Sequence, residues 1–138
     1  MPNELPLYDR IKEAKSFIRK ETDFKAQVAV VLGSGLGKLS KHMKEKARIP
    51  FGDIPHFPQS GVKGHAGELV LGTLGKKNVA LMNGRVHYYE GYSMEEVTFP
   101  VRVLRALGAK KLVLTCAARG MNPLHDKGDI VAIVDHIN

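Results

Sequence analysis

The segment "NGRVHYYEGYS" places an arginine, a histidine, tyrosines and a glutamate close together, directly after a predicted strand at 78–83. If that strand continues, its alternation puts Arg85, His87 and Tyr89 on one side. A guanidinium offers a planar fork of donors for phosphate, an imidazole can add a donor, and Glu90 could orient that imidazole. The pattern favours an anion site over the alternative, a polar edge strand in which Arg85 pairs with Glu90 on the surface.

A second candidate is "VVLGSGLGKLS", where a β-branched run predicted as a strand at 27–32 breaks into three glycines around Ser34. Gly33, Gly35 and Gly37 do not fit the Walker pattern, because leucine and not serine or threonine directly follows Lys38 and the spacing is wrong. They do not fit the dinucleotide-binding pattern either, because the glycines recur at every second position. What remains is a set of small residues, outward-facing amides at a helix start and a hydroxyl, which suits an anion. The alternative is that the glycines only let a helix pack closely on the strand.

Length and composition restrict the fold and the setting. With 138 residues, 43% of them hydrophobic and 25% charged, the chain is expected to form a single domain over 1–138. Its apolar runs are too short to cross a bilayer and no secretory signal is evident, so no membrane is expected as a partner. Cys116 is the single cysteine, which excludes an intrachain disulfide and favours a reducing, cytoplasmic location.

The formal net charge of +7 raises the question of nucleic acid as a partner. The basic residues are densest at 10–20 and at 38–48, where they alternate with apolar positions. No recognition motif or aromatic platform accompanies them. Two solvated helix faces therefore explain the charge better, and nucleic acid is not expected as a partner.

Hydrophobic periodicity predicts an α/β fold with a mixed β-sheet flanked by helices. Helical spacing indicates an amphipathic helix at 7–20, and another helix is expected to start from the glycine turn, at 36–44. Prolines and glycines between 51 and 67 predict an exposed loop. Short apolar runs predict strands at 27–32, 69–74, 78–83, 111–115 and 130–135, with a Gly75-Lys76-Lys77 turn joining the second and third.

A capping box predicts the start of one further helix. Ser93 and Glu96 have the spacing of such a box, and the apolar positions after them continue to a stop at Gly108. Pro100 leaves two alternatives open. Either it kinks this helix, or it lies in the first turn of a helix that begins near Thr98.

Four segments together resemble one family. "LGSGLG", "GHAGELVLG", "GRVHYYEGYSMEEVTFPVRVLRALG" and "DHIN" are similar in order and separation to those of the trimeric purine nucleoside phosphorylases, over nearly the whole chain. The resemblance implies a phosphorylase/hydrolase-like fold and phosphorolysis of purine (deoxy)ribonucleosides to free base and (deoxy)ribose 1-phosphate. Inorganic phosphate would be the co-substrate, no metal or other cofactor would be required, and a homo-oligomer, a trimer, would be the assembly.

The resemblance also implies roles for single residues. Glu90 would position His87 or the phosphate, and a phosphate oxygen would attack the anomeric carbon as the purine leaves, through a transition state with oxocarbenium character. The implied sites are phosphate binding by Ser34, His65, Arg85, His87 and the backbone amide of Ala117, ribose binding by Tyr89, purine binding by Ala117, Ala118 and Arg119, and catalysis by His87 and Glu90.

Two positions depart from the family pattern. In "TCAARGMNP", Cys116 stands where asparagine is usual and Arg119 where the first glycine is usual. A long charged side chain at 119 could fill the base pocket or distort the turn. Cys116 is interpreted as a small buried residue at a strand end and not as a nucleophile.

Members of the resembled family are about twice as long, and their second half carries the groups that grip the purine. We therefore expect a partial phosphorylase domain that does not activate the leaving group by itself; the alternative is a catalytically inactive phosphate- or nucleotide-binding module. A truncated sheet would expose strand edges and apolar surface, which predicts self-association or rearrangement. His125, Asp126 and Asp129 are interpreted as turn residues, not as a replacement acid or a metal cluster.

Overall fold

The computed structural model of the chain describes residues 5–59 and 67–137, and a five-stranded sheet lies at its centre. The strands are β1 Val28–Val31, β2 Lys44–Pro50, β3 Glu68–Leu74, β4 Lys77–Asn83 and β5 Lys111–Leu114. Their order in the sheet is β2-β3-β4-β1-β5. β1 pairs in parallel with β4 and β5, while β2, β3 and β4 form an antiparallel meander. The predicted mixed sheet is confirmed.

Two α-helices in the described part of the chain, α1 Leu7–Glu21 and α2 Met94–Ala106, cover one face of this sheet. Ile18 of α1 and Leu104 of α2 are fully buried in the core that they form with the strands. The apolar positions of α1 recur at helical spacing as predicted, and the helix ends at Glu21, one residue beyond the predicted end. Neither of these helices is long and apolar enough to cross a membrane.

The N-terminus of α2 has the predicted capping box. The Glu96 amide donates to the Ser93 hydroxyl at 3.2 Å, and the Ser93 amide donates to the Glu96 carboxylate at 2.7 Å. Hydrogen bonds from the Ser93 backbone and hydroxyl hold the pKa of Glu96 below its ordinary value. Pro100 lies buried inside this helix, so the alternative start near Thr98 is wrong.

The segment after the glycine turn, on the opposite face of the sheet, differs from its prediction. The glycine turn leads into a short 3₁₀-helix, Gly37–His42, and not into the α-helix predicted at 36–44. β2 follows and was missed, since Lys44 and Glu45 are residues with high intrinsic helix propensity. Pairing with β3 overrides that local preference, and exposed charges are typical of an edge strand. A second apolar cluster lies on this face, formed by Val30, Leu32, Met43, Val70, Val79 and Leu81.

The loop predicted as exposed from residue 51 is partly buried. Phe51, Ile54 and Phe57 are 4%, 2% and 7% exposed, and the rings of Phe57 and Phe99 meet edge to face at 5.9 Å between centroids. Prolines in this segment interrupt regular backbone pairing, but they do not keep apolar side chains out of the core. The prediction was therefore correct about the lack of long regular elements at 51–59 and wrong about burial.

The segment 116–137 forms neither helix nor strand, so the strand predicted at 130–135 is wrong. An apolar β-branched run needs a neighbouring strand, and Ile130 and Val134 are instead 100% and 97% exposed. The polar turn in this segment agrees with its prediction. The Asp126 amide donates to the Asp129 carboxylate at 2.9 Å, and the Asp129 amide donates to the Asp126 carbonyl at 3.2 Å.

Candidate functional site

Three segments that carry predicted site residues leave the sheet at the same edge. β1, β4 and β5 are parallel, and their register pairs Val31 with Met82 on one side and with Leu114 on the other. Because the carboxyl ends of parallel strands meet at one end of the sheet, the segments that follow these positions all leave the sheet there. The residues three positions further along are Ser34, Arg85 and Ala117, all predicted to bind phosphate.

The turn after β1 lies very close to the end of β5. A Cβ atom on Gly33 would stand 2.7 Å from the Thr115 carbonyl oxygen and 2.9 Å from the Cys116 Cα, so this position requires glycine. Gly35 has φ +85°, a left-handed conformation that also favours glycine. Gly33 thus lies close to the end of β5. The alternative hypothesis had the glycines let a helix pack closely on the strand. Between the two glycines, Ser34 is exposed.

Thr115 ties this turn to β5 and was not predicted as a site residue. Its hydroxyl accepts a hydrogen bond from the Gly33 amide at 2.9 Å and donates to the Val31 carbonyl at 3.1 Å. The partners are more than 80 positions apart in the chain, so no local sequence signal could have paired them. The hydroxyl links the ends of the two strands from which the glycine turn and the 116–119 segment depart.

His87 is the N-cap of the 3₁₀ turn Tyr88–Glu90 and pairs with Glu90, the last residue of that turn. The Glu90 carboxylate accepts hydrogen bonds from His87 Nδ1 at 2.7 Å and from the His87 backbone amide at 2.8 Å. An ionised carboxylate has no proton and can only accept hydrogen bonds. The contact therefore places the ring proton of His87 on Nδ1, and it fixes the orientation of the ring. The Tyr89 ring stacks on the imidazole at 4.7 Å between centroids and is itself 77% exposed.

The polar edge strand considered as an alternative for this segment is not formed. β4 ends at Asn83, so the period-two alternation does not place Arg85, His87 and Tyr89 on one side. A turn brings the two rings together instead. Arg85 is partly buried just beyond the strand end, and no ion pair of Arg85 occurs among residues 5–59 and 67–137.

The predicted purine-binding residues lie on the exposed segment that follows β5. Ala117, Ala118 and Arg119 are all exposed, and they continue from the strand end that contacts the glycine turn. Cys116 is exposed as well, so its interpretation as a buried residue is wrong. His65 lies outside the described residues.

A polar network lies at the same end of the sheet, where the antiparallel strands β2, β3 and β4 meet. The Asn83 amide group donates to Glu68 at 2.8 Å, and Glu68 also pairs with Arg48 of β2. Hydrogen bonds from Arg48 to Glu45 and Glu68 raise the pKa of the guanidinium above its ordinary value. These contacts join the ends of β2, β3 and β4, and Asn83 lies two residues before Arg85.

Comparisons with known proteins indicate the family of this chain. The family model described as "Phosphorylase superfamily" matches residues 27–138, a range that contains every candidate site residue. Purine nucleoside phosphorylase 1 of Bacillus subtilis is 50% identical over 130 residues, covering 94% of this chain and 48% of the relative. Purine nucleoside phosphorylase of Mus musculus is 50% identical over 138 residues, covering 100% of this chain and 47% of the relative.

Solved structures give the same result. A purine nucleoside phosphorylase in complex with ribose-1-phosphate superposes with a TM-score of 0.82 at 41% identity, covering 91% of this chain and 47% of that chain. The Schistosoma mansoni enzyme in complex with adenosine gives a TM-score of 0.80 at 42% identity, covering 88% and 42%. The chain thus spans about half the length of the curated relatives it matches. Since the family model matches most of its residues, the chain belongs to the phosphorylase superfamily.

Proposed function

We propose that this chain is the phosphate-binding part of a purine nucleoside phosphorylase. The reaction would convert a purine (deoxy)ribonucleoside and inorganic phosphate to free base and (deoxy)ribose 1-phosphate. The observation that carries the proposal is the parallel pairing of β1 with β4 and β5, because the segments with Ser34, Arg85 and Ala117 follow the carboxyl ends of these three strands. The relatives that carry this name, and a related structure with ribose-1-phosphate, support it.

In this proposal the edge of the sheet binds phosphate through several kinds of donor. Arg85 supplies the planar fork, Ser34 a hydroxyl and Ala117 a backbone amide, with His87 nearby on the Arg85 segment and His65 as a further donor. An anion held under the anomeric carbon would stabilise the cationic character that develops there as the purine leaves. Holding both reactants in one site supplies several kcal/mol, up to about 7–11 in ideal intramolecular cases.

Glu90 would act on the reaction through the imidazole. Its hydrogen bond to His87 Nδ1 fixes the ring, and a fixed ring presents its other nitrogen in one direction. Tyr89, stacked on that ring with its face exposed, is suited to pack against the ribose. His87 and Glu90 are therefore the proposed catalytic pair, and neither a metal nor another cofactor takes part in the proposed steps.

The purine would lie against Ala117, Ala118 and Arg119. Because the chain spans about half the length of its relatives, the proposal separates two activities. Phosphate binding depends on residues that the chain contains, whereas efficient departure of the purine needs groups that the resemblance places further along the family sequence. The second candidate function is a phosphate- or nucleotide-binding module without catalysis. A cytoplasmic location and assembly into a homotrimer are also proposed, and neither nucleic acid nor a membrane is proposed as a partner.

The test measures phosphate binding and turnover separately. Thermal unfolding is followed with increasing phosphate against chloride at equal ionic strength, because a ligand that binds only the folded state raises the melting temperature. Release of hypoxanthine from inosine is measured in parallel. Arg85→Gln should weaken phosphate binding by about tenfold or more, since it removes a charge-assisted donor pair. Arg102→Gln, a change on the exposed side of α2, is the matched control and should bind as the wild type does.

The outcomes separate the hypotheses. Phosphate binding with phosphate-dependent release of hypoxanthine supports the phosphorylase, and binding without release supports the non-catalytic module. If phosphate gives no more stabilisation than chloride, or if Arg85→Gln binds phosphate as tightly as the control, the proposed site is wrong.

A further inference from the structure

We infer that the hydroxyl of Thr115 is a positioning group that ends the β1–β5 ladder and thereby keeps the Ala117 amide available for the anion. This inference rests on the proposed phosphate site and adds a residue to it. Its basis is the pair of hydrogen bonds that the hydroxyl makes, from the Gly33 amide at 2.9 Å and to the Val31 carbonyl at 3.1 Å. One donor and one acceptor are used, so the hydroxyl is held in a single orientation.

The hydrogen-bond pattern of parallel strands shows what this contact replaces. The Thr115 amide donates to the Val31 carbonyl at 3.1 Å, which is the last regular bond between the two strands. In a continuing parallel ladder, the Gly33 amide would next donate to the Thr115 carbonyl, and the Ala117 amide would donate to the Gly33 carbonyl. In the structure the Gly33 amide donates to the Thr115 side chain instead, and these two described residues, Gly33 and Ala117, share no backbone hydrogen bond.

The replacement has a direct consequence for anion binding. If the ladder continued, the Ala117 amide would be used by the Gly33 carbonyl and could not donate to phosphate. The side-chain contact satisfies the Gly33 amide, which does not donate to the Thr115 carbonyl in this structure. It also holds the Ser34 turn at a fixed separation from the Ala117 segment. Thr115 thus acts through the geometry of two phosphate donors and does not touch the phosphate itself.

The experiment uses two variants of the full chain with inorganic phosphate as the probe. Thr115→Val keeps the shape of the side chain and removes the hydroxyl, and Thr115→Ser keeps the hydroxyl. We expect Thr115→Val to raise the phosphate dissociation constant by about tenfold, and Thr115→Ser to stay within about twofold of the wild type. Thr73→Val makes the same chemical change on β3, away from this edge, and should not alter binding.

Hydrogen exchange in the wild type gives an independent measurement that needs no variant. The Gly33 amide should be protected with or without phosphate, whereas the Ala117 amide should exchange quickly in chloride and become protected when phosphate is added. Where turnover is measurable, Thr115→Val should raise the KM for phosphate while leaving the KM for inosine unchanged. A purely structural role would not produce that selective change.

The experiments distinguish failure of the proposed phosphate site from failure of the role inferred for Thr115. If the wild type does not bind phosphate, the proposed function and this inference fall together. If the wild type binds and Thr115→Val binds equally tightly, or Thr115→Ser is as defective as Thr115→Val, the inference alone is overturned. Protection of the Ala117 amide in chloride would also overturn it, since it would show that the ladder continues; should Thr115→Val not fold, this exchange measurement decides.

Discussion

β1 and β5 are neighbouring parallel strands of four residues each, yet β1 is mostly buried and β5 is exposed. Val31 at the end of β1 is 3% exposed, whereas Leu114, its register partner on β5, is 62% exposed. β1 is bordered by β4 on its other side and is covered on both faces by apolar side chains. β5 lies at the edge of the sheet, and all four of its residues are exposed.

The difference shows that an apolar strand sequence does not bury itself. Lys111–Leu114 has three apolar residues in four, which is typical of a covered parallel strand, but burial depends on what packs against it. The exposed apolar surface continues into the segment after β5, as predicted for a truncated sheet. Its large exposed members are Leu112, Val113, Leu114, Met121, Leu124, Ile130, Val131, Ile133, Val134 and Ile137.

The largest expected effect is a difference in stability between matched leucines at the two strand ends. Leu32 directly follows β1 and is 1% exposed, while Leu114 ends β5. Leu32→Ala should lower the free energy of unfolding by about 3 kcal/mol, because it removes buried contacts and leaves a cavity. Leu114→Ala should change it by less than about 0.5 kcal/mol. Urea denaturation measures both; equal losses for the two variants would show that β5 is buried in solution.

A smaller effect is expected where the two strands approach each other. Gly33→Ala would place a Cβ 2.7 Å from the Thr115 carbonyl oxygen, and backbone atoms cannot move aside as a flexible side chain can. We expect a loss of about 2 kcal/mol, within the usual range for overpacking. Gly120→Ala is the control, since its Cβ would be 3.6 Å from the His125 side chain. A Gly33→Ala variant as stable as this control would mean that the strand ends separate easily.

Much of the fold was predictable because its signals are local. The apolar spacing of α1, the capping box of Ser93 and Glu96, and the turn between β3 and β4 each lie within a few consecutive residues. The failures have a common physical cause. The charged segment of β2 becomes a strand only because β3 pairs with it, and the apolar run at 130–135 does not become one because no described strand pairs with it.

The candidate site also has a part that local sequence signals predict and a part that depends on strand pairing. Arginine, histidine and glutamate close together after a strand could be recognised from residue types, and the His87–Glu90 contact was predicted because its partners are three positions apart. The role of Thr115 could not be predicted from the sequence, because its partners Val31 and Gly33 are brought close only by the parallel pairing of β1 and β5. Residue types thus indicate the chemistry, and the register of the sheet determines which groups meet.

The smallest expected effect concerns association through the exposed strand. The open edge and apolar side chains of β5 should bring copies of the chain together, because an unpaired strand edge and an apolar surface both favour contact with another molecule. Leu114→Lys puts a charge on that strand and should weaken self-association by about tenfold, without lowering the free energy of unfolding by more than about 0.5 kcal/mol. Leu5→Lys, at a site 44% exposed before α1, should leave association unchanged. Sedimentation velocity over a range of concentrations measures this; a wild-type chain that stays monomeric throughout would show that exposed β5 does not act as an association surface.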